Sequence, residues 1–399
     1  MLVTLTNAPR DYEWGSRTLI AGLQGRGISD VPEAEIWYGD HPSDPSEVGD
    51  GTGRTLDAWL RDENVTPGVG GRLPYLLKVL AAGRSLSIQA HPTKDQAVEG
   101  YAREASLPAG AARNYADDNH KPEMIVALSD TFTAICGLRE IGATQRLLAN
   151  IGPAAHPLAE RIRDEHSLGE AVRWLLSGDA QGVVDAIIAA LGDARATEFS
   201  AELSNARANA AEFPGDAGVV VGLLMNLVQL RRGEALFLRA GQLHAYQSGL
   251  GVEIMAASDN VLRGGLTPKH IDVDELMNVL DRSAGPIPVI LPTVFNGDSH
   301  GLDQFPAPVG DFQLLRGSVS AGSTARLQPN GPMIVLSTGG AVQVNAGGTV
   351  VHLRPGEAAF ATPDEQLVEM GGDGEFFVAQ PGHEPRDDTP NATKPSMRG

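Results

Sequence analysis

The sequence predicts a mainly β fold of the α+β class, with two jelly-roll domains and an α-helical domain inserted into the first. Three observations point there. Up to about residue 135, and again from Glu234 onward, short strand-like runs alternate with Gly, Pro and Asp turns. Between residues 138 and 209 alanine and leucine dominate, and apolar residues recur at helical spacing. Lastly, Gly233-Glu234-Ala235-Leu236-Phe237 is echoed by Gly356-Glu357-Ala358-Ala359-Phe360, each with a basic residue within the two preceding positions. A Gly-Glu turn feeding a short apolar strand is a frequent jelly-roll element.

Residues 76–80 and 86–90 read as strands around a turn at Gly83. In the middle segment, Ala171-Val172-Leu175-Leu176 and Val183-Val184-Ile187-Ile188-Leu191 give helical faces. Gly152-Pro153, Gly178-Asp179 and Gly192-Asp193 cut that segment into several short helices. The run 219–230 is ambiguous, β-branched at its start and helix-friendly later. Residues 273–280 read as one short helix. The tail from His383 is rich in Pro, Asp and Asn and is expected to be disordered. The expected domains are therefore a discontinuous catalytic jelly roll (1–137 and 217–290), a helical insert (138–216), a second jelly roll (291–382) and a tail (383–399). His244 stands eleven residues after Gly233, whereas Leu367 holds the equivalent place after Gly356. The second jelly roll is thus expected to keep the strand framework and to bind no metal.

With 31 basic and 50 acidic residues among 399, the formal charge is −19, which argues against nucleic-acid or anionic-membrane partners. An anionic substrate must then meet a local basic patch. The single cysteine, Cys136, excludes an intramolecular disulfide and a Cys-rich zinc site, and is expected to be packed rather than reactive. No apolar run reaches the ~20 residues of a membrane span, and no charged-then-apolar leader opens the chain. A cytoplasmic protein is expected.

Three segments concentrate chemistry. In Ser87-Ile88-Gln89-Ala90-His91 strand alternation puts Ser87, Gln89 and His91 on one face, as in a wet pocket. In Asn119-His120-Lys121-Pro122-Glu123 a polar cluster runs into the apolar strand that follows, with Glu123 at its mouth. The third segment is Gly241-Gln242-Leu243-His244-Ala245-Tyr246. Two imidazoles, a carboxylate and an amide oxygen make a divalent-metal shell with open positions, a catalytic pattern. The competing reading makes His91 and His244 hydrogen-bonded core residues. A fourth segment, from Glu253 to Lys269, interleaves Asp259, Asn260, Arg263 and Lys269 with Gly264 and Gly265. In an acidic chain it suits a phosphate clamp or, less specifically, a solvated loop.

These segments resemble type I mannose-6-phosphate isomerases (phosphomannose isomerases) of the cupin superfamily. Pro74-Tyr75-Leu76-Leu77-Lys78-Val79-Leu80 with Leu86-Ser87-Ile88-Gln89-Ala90-His91-Pro92 looks like the family's first signature. Asn119-His120-Lys121-Pro122-Glu123-Met124 resembles the second. Leu243-His244-Ala245-Tyr246 and the stretch from Met255 to Lys269 resemble the third. Trp14-Gly15-Ser16, Ala34-Glu35-Ile36-Trp37-Tyr38-Gly39 and His41-Pro42 also match, so the likeness spans roughly residues 1–290. One departure is Ala240, where cupin-type strands usually carry proline.

The resemblance implies one Zn2+ per chain, held by Gln89, His91, Glu123 and His244. It implies a monomer that interconverts mannose 6-phosphate and fructose 6-phosphate by ring opening and hydrogen transfer between C1 and C2. Arg263, Lys121, His120 and Asp259 are the catalytic candidates. Ser87, Lys269, Glu253 and Trp14 are the substrate-binding ones, Trp14 more readily as a wall aromatic than as a sugar stacker. His120 also has a plain reading as an exposed loop histidine. Proton transfer through a cis-enediolate and a direct hydride shift both remain open. Rivals are a cupin metal-dependent oxygenase, since two histidines and a carboxylate also suit Fe(II), a non-catalytic sugar-phosphate sensor, and a fusion or subunit with guanylyltransferase activity, against which no Gly-rich phosphate loop appears.

Overall fold

The computed structural model of the chain describes residues 1–295 and 301–383, apart from 109 and 196. Beyond His383 the expected disordered tail lies outside the described residues. Two antiparallel sheets and a layer of helices make up the fold, a mixed architecture of the kind the sequence predicts. No helix among the described residues is long and apolar enough to cross a membrane.

The first sheet is organised by one strand, His244–Ala256, thirteen residues long and buried almost throughout. Its length lets it serve several neighbours. One half pairs with Tyr75–Ala82 and Glu123–Ala127, and the other with Gln89–Ala90 and Thr131–Leu138. The Gly241-to-Tyr246 segment and Glu253, separate in the sequence reading, thus lie on one continuous strand. The strand expected over 86–90 shortens to Gln89–Ala90. Leu86 and Ile88 instead give their N–H groups to the carbonyls of Tyr246 and Gly265.

The second sheet is built mainly from the C-terminal strands, with Met333–Ala346 and Val368–Gln380 paired along most of their length. The N-terminal strand Leu2–Thr6 also joins it, with Leu2 opposite Ala361 and Leu5 opposite both Ala358 and Val48. Residues 2–6 and 47–48 therefore depart from a division that assigns the whole of 1–137 to the first sheet. Two buried tyrosines tie the sheets together. Tyr38 donates to the Gly356 carbonyl at 2.6 Å, and the Tyr75 hydroxyl lies 3.0 Å from the carbonyls of Pro332 and Ala379.

The Gly-Glu echo is structural. Gly233 and Gly356 both sit at φ +83°, where a side chain is disfavoured. The carboxylate that follows each folds back alike. Glu234 accepts from the Arg231 N–H at 2.8 Å, and Glu357 from the Arg354 N–H at 2.9 Å. Each turn then feeds a four-residue strand, Ala235–Leu238 or Ala358–Ala361.

Helices run from Ile141–Ile151 to Gly218–Leu223. Their apolar faces (Leu147, Leu148, Val172, Leu175 and Val184 among them) share one core with Ile88, Ala90, Leu243 and Leu262. The helical layer therefore backs the strands that carry the candidate site. The ambiguous run resolves against its local composition. Its β-branched start is the helix Gly218–Leu223 and its later part is the strand Met225–Arg231. Here burial and strand pairing override intrinsic propensity. Val273–Val279 is helical as expected, with the Asp272 side chain accepting from the Glu275 N–H. The helices of the first 135 residues were not foreseen: Leu19–Leu23, Leu56–Asp62 and the longest, Lys94–Glu104, opened by a capping box between Thr93 and Gln96.

Candidate metal centre

The fold brings His91, Glu123 and His244 together. One potential ligand atom from each lies within 4.8 Å of the others, and all three residues are buried. His244 opens the long strand and Glu123 opens the strand beside its other half. His91 follows Gln89–Ala90, and Gln89 is the register partner of both His244 and Arg263. Gln89 is half-buried.

The hydrogen bonds set the imidazole tautomers. His91 Nδ1 lies 2.7 Å from the Asn260 carbonyl, and His244 Nδ1 lies 2.9 Å from the Gln242 carbonyl. A carbonyl only accepts, so each Nδ1 carries a proton, and Nε2 is the nitrogen each ring turns towards Glu123. Both Nε2 atoms are buried without a hydrogen-bond partner among the described residues, yet stand 3.2 and 3.4 Å from the Glu123 carboxylate. A lone pair and a carboxylate facing one another at these distances repel unless a cation lies between them. Carbonyl-oriented imidazoles are also how proteins prepare histidines for metal ligation. The residues present therefore fit a divalent ion. The core reading of the two histidines leaves these Nε2 atoms unexplained.

Electrostatics agree. Burial, which outweighs the pull of Glu123, lowers the His91 pKa to about 4, so the ring is a neutral ligand at pH 7. Burial also opposes charge on Glu123, but Lys121, 3.3 Å away, and the imidazoles overcome it and hold the carboxyl well below its usual range.

Around this group lies a network that the sequence reading missed. Lys78 is buried between Glu35 at 3.3 Å and Glu253 at 3.1 Å. Burial works against its charge, but Glu35, Glu253 and Glu123 prevail and raise its pKa. Glu253, assigned from the sequence to substrate binding, is pushed up in turn, by burial above all. Trp37 walls this network, donating from Nε1 to Glu35 at 2.9 Å and lying under the Lys78 ammonium. The visible signal was a lysine in the middle of the apolar run 76–80. Its partners come from distant strands, so only the folded register reveals them.

The other sequence candidates fall in different places. Asp259 is half-exposed and lies 3.3 Å from His41, which lowers its pKa. The two help line a cavity of about 260 Å³ with Asp40, Arg72, Tyr75 and Asp117. Arg263 is half-buried, burial lowers its pKa, and it has no carboxylate partner among the described residues. Lys269 is exposed and Ser87 half-buried. His120 is engaged by Asp311 at 2.9 Å, a contact to the C-terminal region, which replaces the free loop histidine of the plain reading. Trp14 packs, partly buried, against the Phe132–Tyr246 cluster. Cys136 is fully buried, opposite His244 in register.

Two imidazoles and one carboxylate, set in a β-sheet and flanked by buried lysines, define a class: β-rich proteins with a metal centre of the catalytic type. Residues 2–141 match the family model for the phosphomannose isomerase type I catalytic domain. A mannose-6-phosphate isomerase of Escherichia coli (strain K12) is 36% identical over 386 residues, covering 93% of this chain and 97% of that protein. One from Schizosaccharomyces pombe is 34% identical, covering 90% and 94%. A zinc-bound mannose 6-phosphate isomerase structure superposes with a TM-score of 0.85 at 32% identity, over 96% of this chain and 99% of the other. The chain belongs to the type I mannose-6-phosphate isomerase family.

Proposed function

We propose that the protein is a zinc-dependent isomerase that interconverts mannose 6-phosphate and fructose 6-phosphate. One observation carries the proposal: in a chain of this family, two buried imidazole nitrogens without donors face a single carboxylate. His91, Glu123 and His244 would hold the ion, with the Gln89 amide oxygen as fourth ligand. A neutral amide there leaves the site net positive. Zinc supplies a Lewis acid that stabilises negative charge developing on the substrate oxygens.

The chain's own residues do the rest. Arg263, with no carboxylate partner among the described residues, meets the negative charge of the reacting carbons with a fixed fork of donors. Lys269 and Ser87 take the phosphate. Lys121, 3.3 Å from Glu123, orients the sugar oxygens. The proton that moves between C2 and C1 is handled by the Lys78–Glu253 pair, whose 3.1 Å contact lets a proton pass from one to the other. Asp259, with His41, and His120, with Asp311, line the approach. Trp14 is part of the wall. The mechanism is then a proton transfer through a cis-enediolate.

In this reading each sheet closes as a cupin-type jelly roll. The catalytic one comprises 1–137 and 217–290, less the N-terminal strand lent to its neighbour, and the insert 138–216 supports it. The second, 291–382, packs against it and carries no metal. The protein acts as a cytoplasmic monomer on a small sugar phosphate. The test is a coupled assay that follows fructose 6-phosphate formed from mannose 6-phosphate by purified protein. Turnover supports the proposal. Oxygen consumption without turnover, or tight binding without turnover, overturns it in favour of an oxygenase or a sensor.

A further inference from the structure

The loop that carries Arg263 is held in an unusual backbone conformation. Leu266 is buried and sits at φ +54°, in the left-handed region where a branched apolar residue is a rare outlier. Such strain persists only where the surroundings over-determine it, and it clusters at functional sites. Two sets of contacts fix this loop. On one side it is bonded to the metal-centre strand. The Gly264 N–H donates to the Ile88 carbonyl at 2.7 Å, the Ile88 N–H donates to the Gly265 carbonyl at 2.9 Å, and Arg263 pairs with Gln89.

On the other side stands the end of the helical insert. Asp216 accepts from the Leu266 N–H at 3.1 Å through one carboxylate oxygen and from the Thr267 N–H at 3.1 Å through the other. The first oxygen also accepts from the Gly218 N–H at 2.6 Å. Backbone meets backbone alongside. A Cβ on Gly265 would lie 2.3 Å from the Gly218 Cα, and one on Gly218 would lie 2.4 Å from the Leu266 nitrogen. Two glycines from segments far apart in sequence thus allow a contact that no other residue permits. The strained residue and its successor have their N–H groups taken by one carboxylate from outside the loop.

We propose that Asp216 is a positioning residue for the isomerisation. Its carboxylate fixes the Leu266–Thr267 backbone and, through it, the placement of Arg263 and Lys269 over the metal centre. The helical insert is then one wall of the substrate site as well as packing. The proposal rests on the assignment of Arg263 to the reacting carbons. Asp216 touches neither metal ligands nor reacting atoms, so it acts only through the loop.

The test is a double-mutant cycle of Asp216→Asn with Arg263→Lys, reading kcat and KM with zinc content in parallel. Asparagine keeps the size but offers a single acceptor oxygen, so it turns an N–H donor toward one of the loop's own donors. Asp216→Asn alone is expected to lower kcat/KM by about 10- to 100-fold, the scale on which a small misplacement of a catalytic group acts. Zinc content stays unchanged, and the loss shrinks severalfold when Arg263 is already Lys. An unchanged kcat/KM, or a loss that multiplies fully with that of Arg263→Lys, overturns the proposal. If Arg263→Lys alone has no effect, it is the role of Arg263 that fails. Should Asp216→Asn not yield folded protein, Asp216→Glu, which keeps the charge, takes its place in the same cycle.

Discussion

Replacing Lys78 by methionine removes the ammonium that contacts two buried carboxylates. Lys78 lies 3.3 Å from Glu35 and 3.1 Å from Glu253, with side-chain exposures of 7%, 8% and 3%. At an effective dielectric of about 20, each contact is worth about 5 kcal/mol of gross attraction. Most of that is offset by desolvation of the charges, and breaking one side of such a cluster typically leaves a net loss of about 3–5 kcal/mol. The Lys78 pKa is raised above its ordinary 10.5, so its stabilising contribution is complete below that pH and is lost only as pH rises through the folded value. At pH 7 the whole loss is therefore seen. Urea unfolding of Lys78→Met should show this drop, and kcat should fall by about 10² or more if the Lys78–Glu253 pair handles the proton. The diagnostic variant is Lys78→Met with Glu253→Gln, which removes one orphaned charge. It should regain part of the stability and none of the activity. A Lys78→Met protein as stable as the wild type, or a double variant less stable than the single one, refutes the reasoning.

Other outcomes follow from the same geometry. Arg263→Lys keeps charge but loses the planar fork, so kcat should fall by about 10², equivalent to about 3 kcal/mol of transition-state stabilisation, with KM much less affected. Steady-state kinetics check this, and a wild-type kcat removes Arg263 from the catalytic role. Burial pushes the Cys136 thiol up to about 12, so native protein at pH 8 should react slowly with a thiol reagent and quickly once denatured. Because its folded pKa lies above the unfolded 9.0, stability from this group is present below pH 9 and is lost as pH rises towards 12. Urea midpoints between those pH values should fall more steeply for the wild type than for Cys136→Ala.

Much of the site was legible because its residues break local patterns. His91 and Gln89 share a face by strand alternation, and Glu123 interrupts the entry to an apolar strand. The Gly233 and Gly356 echo was legible for a similar reason, since a glycine at φ +83° followed by a back-folding glutamate is a local device. What sequence could not show are pairings made only by the register of distant strands. Glu35 reaches Lys78 because Glu35–Tyr38 runs antiparallel to Tyr75–Ala82. Glu253 reaches it because His244–Ala256 flanks the same strand on its other side. His41 with Asp259, and His120 with Asp311, are likewise long-range pairs. The helix Lys94–Glu104 was missed for a different reason. Its buried face is Ala97, Gly100 and Glu104, with Val98 and Tyr101 exposed, so it offers no apolar stripe to read, although Thr93 and Gln96 spelled out the capping box. In the 219–230 run, local preference pointed the wrong way because each half is set by what it packs against.

The account stands most directly on the metal that His91, Glu123 and His244 would hold. The decisive measurement is a zinc titration of chelator-treated protein, following isomerisation of mannose 6-phosphate and bound zinc together. Activity should be absent at the start, rise in proportion to bound zinc, and saturate at one ion per chain, while His244→Ala should neither retain zinc nor recover. Full activity in the metal-free protein, or a His244→Ala variant that binds zinc as the wild type does, would contradict it.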